Sequence, residues 1–150
     1  MNARECLKFV CAIAFGLSVA IHVLAAETPG SLPGVKNVTA EEVKKMLDAG
    51  VLVVDTRVAA EYSEKTIKGA KSVPYKEKSA KEPGFDASVD QFDLSKLPSD
   101  KSTPVVMFCN SGECWKSYKA SVVAAKAGYT NVHWFRGGFP EWNSKGLPTQ

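Results

Sequence analysis

Histidine, cysteine and unbalanced charge are scarce in this chain, and each scarcity removes a class of function. His22 and His133 are the only histidines in 150 residues. His133 sits inside a strand-like pattern with no second ligand in view, so neither a metal site nor a catalytic histidine is expected. The formal net charge is +3 and evenly spread, too little basic surface for a nucleic-acid binder. Internal repeats and low-complexity tracts are absent. Cysteine occurs four times, at positions 6, 11, 109 and 114. With 45% hydrophobic residues, the chain has enough apolar side chains for one core-bearing domain.

Residues 1–26 read as a targeting segment. Arg4 and Lys8 make a basic start, Phe9 to Ala26 is apolar apart from Ser18 and His22, and Ala25-Ala26 precedes the polar Glu27-Thr28. That build is a secretory signal peptide, which implies a periplasmic or secreted protein. The alternative is an uncleaved anchor, since the run approaches a membrane-spanning length; only then is a membrane a partner. Cys11 lies too early for a lipoprotein signal. Cleavage would remove Cys6 and Cys11 and leave Cys109 and Cys114 as the mature thiols.

Residues 27–37, with two prolines and two glycines up to Lys36, read as a flexible lead-in. The domain proper is placed at 38–148. Thr39-Ala40-Glu41-Glu42 has the form of a capping box, Val43, Met46 and Leu47 make a helical stripe, and Gly50 ends it. Val51 to Val54 is a continuous apolar run, as in a strand covered on both faces. It stops at Asp55-Thr56-Arg57. These charges either line a ligand crevice at the strand's carboxyl end or serve as a helix cap and a surface arginine. Ala59 to Ser63 reads as a short helix, and Ile67 to Pro74 as a turn into a short strand. Lys76 to Lys101 carries scattered charge and few strand signals. Phe85, Phe92, Leu94 and Leu97 indicate that it packs as a lid or short helix.

The decisive stretch is Val105 to Ser117. An apolar, β-branched run ends at Cys109; the polar segment Asn110-Ser111-Gly112-Glu113 follows, and Cys114-Trp115 opens a helical pattern. A strand–loop–helix turn of this kind brings a thiol to the carboxyl end of a strand, facing backbone N–H groups and a helix N-terminus. Such surroundings favour the thiolate, the reactive form. Cys109 is therefore the candidate nucleophile, with Asn110 through Trp115 as its loop. Trp115 and Tyr118 share a helical face with Val122 and Ala125, and core packing explains them better than substrate contact. Asn131 to Phe135 reads as a further strand, and Arg136 to Trp142 as a turn into a last helix. Strands alternating with helices imply a mostly parallel sheet with helices on both faces.

Together these pieces resemble a single rhodanese-like domain. The matching segments are Val53-Val54-Asp55-Thr56-Arg57, Glu61-Tyr62, Ile67 to Ala70 with Val73-Pro74, the Cys109 loop, and Arg136-Gly137-Gly138-Phe139-Pro140-Glu141-Trp142. The resemblance implies an α/β fold with a five-stranded parallel sheet, a persulfide on Cys109, and Asp55 and Arg57 as its support. It implies sulfur transfer from a small donor such as thiosulfate or polysulfide to a thiol or cyanide, with no metal and no cofactor. Many loops of the family carry an arginine near the position of Cys114; here Lys116 and Lys119 are the nearby cations. Cys114-Trp115 resembles a small group of exported rhodanese-like proteins with a Cys-Trp pair. Cys114 either attacks a Cys109 persulfide, pairs with Cys109 in an oxidising compartment, or is an inert thiol. Three function classes follow: a sulfurtransferase, a thiol–disulfide protein served by a redox partner, and a sulfur carrier without turnover. A phosphatase or arsenate reductase on a related fold would need a longer anion loop ending in arginine, where this chain has Trp115.

Overall fold

The structure is a computed structural model that describes residues 26–150. The expected targeting segment, Ala26 apart, lies outside those residues. Five strands, β1 Val35–Asn37, β2 Leu52–Asp55, β3 Lys71–Ser72, β4 Val105–Phe108 and β5 Val132–Phe135, form one sheet in the order β1-β5-β4-β2-β3. Every pairing is parallel. Three helices lie between strands, α1 Ala40–Asp48, α2 Ala59–Glu64 and α3 Trp115–Lys126, and a fourth, α4 Gly138–Ser144, follows β5. The α/β reading therefore holds.

Alternation along β4 explains how the layers form. Side chains on a strand point to opposite faces by turns, and all four β4 residues are buried. Val105 and Met107 pack with Val54 and Val132 against Ala120 and Ala124 of α3, along with Tyr75 and Leu97. Val106 and Phe108 pack with Val53 and Phe135 against Ala40 and Val43 of α1 and Trp142 of α4. A strand covered on both sides has no polar face, which is why β4, and β2 as far as Val54, read as unbroken apolar runs. The capping box of α1 is present in both directions, with Glu42 N donating to Thr39 Oγ1 at 3.3 Å and Thr39 N donating to Glu42 Oε2 at 2.7 Å.

The lead-in differs from its sequence reading. Val35–Asn37 pairs with β5 as an edge strand, and Thr28 is buried. Leu32 joins Trp115, Tyr118 and Trp134 in a third apolar cluster. Two prolines and two glycines give this stretch the composition of a loop, but the docking comes from contacts with segments far along the chain, which composition does not reveal. Lys76 to Lys101 packs down as expected, through two short 3₁₀ turns, Ala87–Val89 and Leu94–Lys96, with Phe85 and Leu97 buried.

Candidate active site

β4 is flanked by β2 and β5, so its carboxyl end opens at the middle of the sheet. Cys109 is the first residue beyond it. Thr56, just past β2, fixes the carbonyl before it: Phe108 O accepts from Thr56 N at 3.1 Å and from Thr56 Oγ1 at 2.8 Å. On the other flank Phe139 N donates to Cys109 O at 2.8 Å. Gly138 makes that approach possible. Its φ is +64°, and a Cβ there would lie 2.3 Å from Cys109 O, so only glycine fits.

Beyond Cys109 the chain closes on itself. Cys114 N donates to Ser111 O at 3.0 Å, and Cys109 and Cys114 are joined by a disulfide with a Cα–Cα distance of 6.1 Å. That distance lies within the ordinary span of such a bond. Cys109 is 1% exposed, whereas Cys114 is half-buried. The amides of Asn110, Ser111 and Gly112 meet no backbone acceptor among the described residues. Cys114 is the N-cap of α3 and its side chain makes no capping hydrogen bond. Three consecutive loop amides are thus left without a backbone acceptor among the described residues, and free amides of this kind are donors that can stabilise an anion.

Asn110, Gly112 and Trp115 tie the loop to three different parts of the chain. Asn110 Nδ2 donates to Glu61 Oε1 of α2 at 2.6 Å. Gly112 O accepts from Thr28 N at 2.8 Å and from Thr28 Oγ1 at 2.5 Å. Glu113 is exposed. Trp115 is turned into the core, stacked edge-on against Tyr118, with its Nε1 donating to Ala26 O at 2.8 Å. Trp115 thus packs inside the third apolar cluster.

Asp55 and Arg57 are both buried and meet as an ion pair. Arg57 Nε donates to Asp55 Oδ1 at 3.0 Å and its Nη2 to Oδ2 at 2.7 Å, the forked geometry in which arginine binds a carboxylate best. Thr66 Oγ1 and the Lys65 carbonyl complete the set, at 2.7 and 2.8 Å. The guanidinium carbon lies 4.4 Å from the centre of the Phe139 ring and 5.9 Å from that of Phe108. The pair is built into the floor beside the loop, neither a helix cap nor a surface charge. A cavity of about 200 Å³ lined by Arg57, Glu61, Glu64, Lys65 and Phe139 opens next to it.

Of the two lysines near the loop in sequence, Lys119 is not free to serve it. Lys119 is fully buried and committed elsewhere, 2.8 Å from Glu77 Oε2 and 2.8 Å from Ser79 Oγ; it has no charge to spare for a donor anion. Arg136 instead brings a guanidinium to the loop. A Cβ on Gly112 would lie 2.7 Å from its Cζ, and its Nη2 donates to Thr28 O at 2.9 Å. His133 lies away from this assembly, beside Lys36, Glu42 and Met46. Burial and then the Lys36 charge hold its imidazole below the usual histidine range.

Thr28, Thr56, Glu61, Arg136 and Gly138 are the site residues that sequence reasoning passed over. Thr56, Glu61, Arg136 and Gly138 lay inside motif segments quoted above, without individual roles. Nothing in the sequence marks Thr28.

An open parallel sheet with a cysteine at the carboxyl end of its central strand, wrapped by a short amide-rich loop, defines the class. A model of the rhodanese-like domain family matches residues 39–145, and the chain belongs to that family. It is 31% identical over 105 residues to the chloroplastic thiosulfate sulfurtransferase 16 of Arabidopsis thaliana, covering 70% of this chain and 84% of that protein. It is similar in structure to a thiosulfate sulfurtransferase from Pseudomonas aeruginosa, with 26% identity and a TM-score of 0.58, over 79% of this chain and 20% of that one. It also shares its fold with a homodimeric polysulfide-sulfur transferase from Wolinella succinogenes, at 20% identity and a TM-score of 0.56, over 79% and 80% of the two chains.

Proposed function

We propose that this protein is an exported sulfurtransferase that moves sulfane sulfur from thiosulfate or polysulfide to a thiophilic acceptor through a persulfide on Cys109. The observation that carries the reading is the placement of Cys109: it leaves the central strand directly into a loop whose first amides have no backbone acceptor. The thiosulfate sulfurtransferase relatives support the donor class.

In the disulfide form Cys109 is no nucleophile, so the cycle begins with reduction of the bond. The Cys109 thiolate then attacks the outer sulfur of the donor, and sulfite departs from thiosulfate with the bonding electron pair. The loop amides and the uncapped start of α3 stabilise the resulting persulfide anion. The acceptor removes the outer sulfur and restores the thiolate. Asn110, Ser111 and Gly112 supply backbone donors, while Asp55, Arg57 and Glu61 hold the floor and rim in shape.

Mass spectrometry of the reduced protein after exposure to thiosulfate tests this. The expected result is release of sulfite and a sulfur-transfer activity that Cys109→Ser abolishes while its circular dichroism stays native. Full activity in Cys109→Ser would sink the reading. The Cys109–Cys114 bond favours a second reading, a thiol–disulfide protein; that alternative predicts loss of both thiols on oxidation and no sulfite release from thiosulfate.

A further inference from the structure

The persulfide reading leaves open where the sulfur goes, and the geometry of the pair bears on that. Cys109 is 1% exposed, a poor position from which to meet a bulky external acceptor. Cys114 is close enough to Cys109 to be bonded to it, with the two Cα atoms 6.1 Å apart. The loop is held in this closed shape by contacts that involve neither sulfur. Cys114 N donates to Ser111 O at 3.0 Å, Thr28 N and Oγ1 both donate to Gly112 O, and the Arg136 guanidinium packs against Gly112. Breaking the disulfide removes none of these ties, so the reduced loop keeps a second thiol poised beside the first.

We propose that Cys114 is the internal acceptor of the reaction, a second catalytic cysteine that converts sulfane sulfur to sulfide; the proposal rests on the persulfide reading above. The Cys114 thiolate attacks the inner sulfur of the Cys109 persulfide. A bond forms between the two Sγ atoms, the bond from Cys109 Sγ to the outer sulfur breaks, and the outer sulfur leaves as hydrosulfide with the electron pair and a proton. The sulfane sulfur is reduced by two electrons, and the two thiols are oxidised to the disulfide seen in the structure. An external dithiol then reduces that disulfide by exchange. It meets Cys114 first, because Cys114 is half-buried where Cys109 is closed off. Attack there expels the Cys109 thiolate, which is the group needed for the next turnover. The partner class is thus a dithiol reductant, and the product is sulfide.

A single-turnover experiment tests the step. The full chain, with Cys6 and Cys11 replaced by serine so that Cys109 and Cys114 are its only thiols, is reduced, freed of reductant and given one equivalent of thiosulfate; sulfite, sulfide and protein mass are then measured. The wild-type protein should release one sulfite and one sulfide per chain and end two hydrogens lighter than its reduced form. Cys114→Ser should release sulfite, retain one added sulfur on Cys109, and yield sulfide only when dithiothreitol is supplied. The proposal is overturned if the wild type retains the added sulfur while Cys114 still reacts with iodoacetamide, or if the sulfur is found on Cys114 without sulfide release. The wild-type measurement stands even where the variant fails to fold. Absence of sulfite from both proteins would instead bring down the persulfide reading itself, and this step with it.

Discussion

Two buried charge assemblies stand in this fold, one centred on Arg57 and one on Lys119, and they are built in opposite ways. Asp55 and Arg57 sit two residues apart at the end of β2 and meet in a forked ion pair that Thr66 and the Lys65 carbonyl complete. Lys119, on α3, draws its partners from 29 to 42 residues earlier in the chain: Asp90 at 3.9 Å, Ser79 at 2.8 Å and Glu77 at 2.8 Å. Asp90 in turn accepts from Tyr75 Oη, Ser79 Oγ and the amides of Lys78 and Ser79. The first assembly is local and touches the floor of the site. The second is long-range and fastens the irregular 75–90 segment to α3. A buried ion pair must be matched closely, because the desolvation it suffers is repaid only when every lone pair and proton is met.

The sharpest way to separate the two is to remove each cation. Arg57→Ala strands Asp55 in the interior and should cost about 3–5 kcal/mol, the usual penalty for an uncompensated buried charge. It should also lower the sulfur-transfer rate, because Phe139 loses the group it packs on. Denaturant unfolding and a thiosulfate assay check the two effects together. Lys119→Met leaves Glu77 and Asp90 without their cation and should destabilise by roughly 3 kcal/mol, yet leave the transfer rate of the folded fraction unchanged. Equal losses of rate in both variants would erase the distinction drawn here.

Acid should act on the second assembly through Asp90. Burial alone opposes ionisation, but hydrogen bonds from Ser79, Lys78 and Tyr75 outweigh it and hold the carboxyl down at about 2. Because the folded value is depressed, the stabilisation is present above the ordinary aspartate range and is lost as pH falls from about 4 towards 2. It amounts to about 2 kcal/mol. Asp90→Asn should lose that amount at pH 7 and flatten the decline in unfolding free energy between pH 4 and 2, measured by urea titration. The smallest effect is expected from Gly112→Ala. The new methyl would meet the Arg136 guanidinium at 2.7 Å, and that flexible side chain can swing aside for about 1 kcal/mol. The guanidinium would then release Thr28 O and loosen the adjoining Thr28 N–Gly112 O bond, so hydrogen exchange at the Thr28 amide should rise while the thermal midpoint falls by only about 3–5 °C.

Where the sequence was legible follows the same division. Strands β2 and β4, helix α1 with its Thr39 cap, and the position of Cys109 all rest on patterns within a dozen residues, and each appears where the pattern puts it. Asp55 and Arg57 could be named but not assigned, because spacing alone does not tell a buried pair from a cap. Residues 27–37 were misjudged through their prolines and glycines, since the evidence for docking lies at Gly112, Arg136 and β5. The exchange of roles between Lys119 and Arg136 was equally hidden. Lys119 is nearer the loop in sequence, but the fold buries it against Glu77 and carries Arg136 onto Gly112 instead.

By itself, then, the amino-acid order determined a parallel α/β domain and which thiol ends its middle strand, because apolar periodicity and turn chemistry act over short stretches. Tertiary structure alone decided that Cys114 reaches Cys109, that Thr28 and Arg136 clasp the loop between them, and that Lys119 serves the scaffold. Those outcomes depend on distances between segments far apart in the chain, and such distances exist only once the layers have packed.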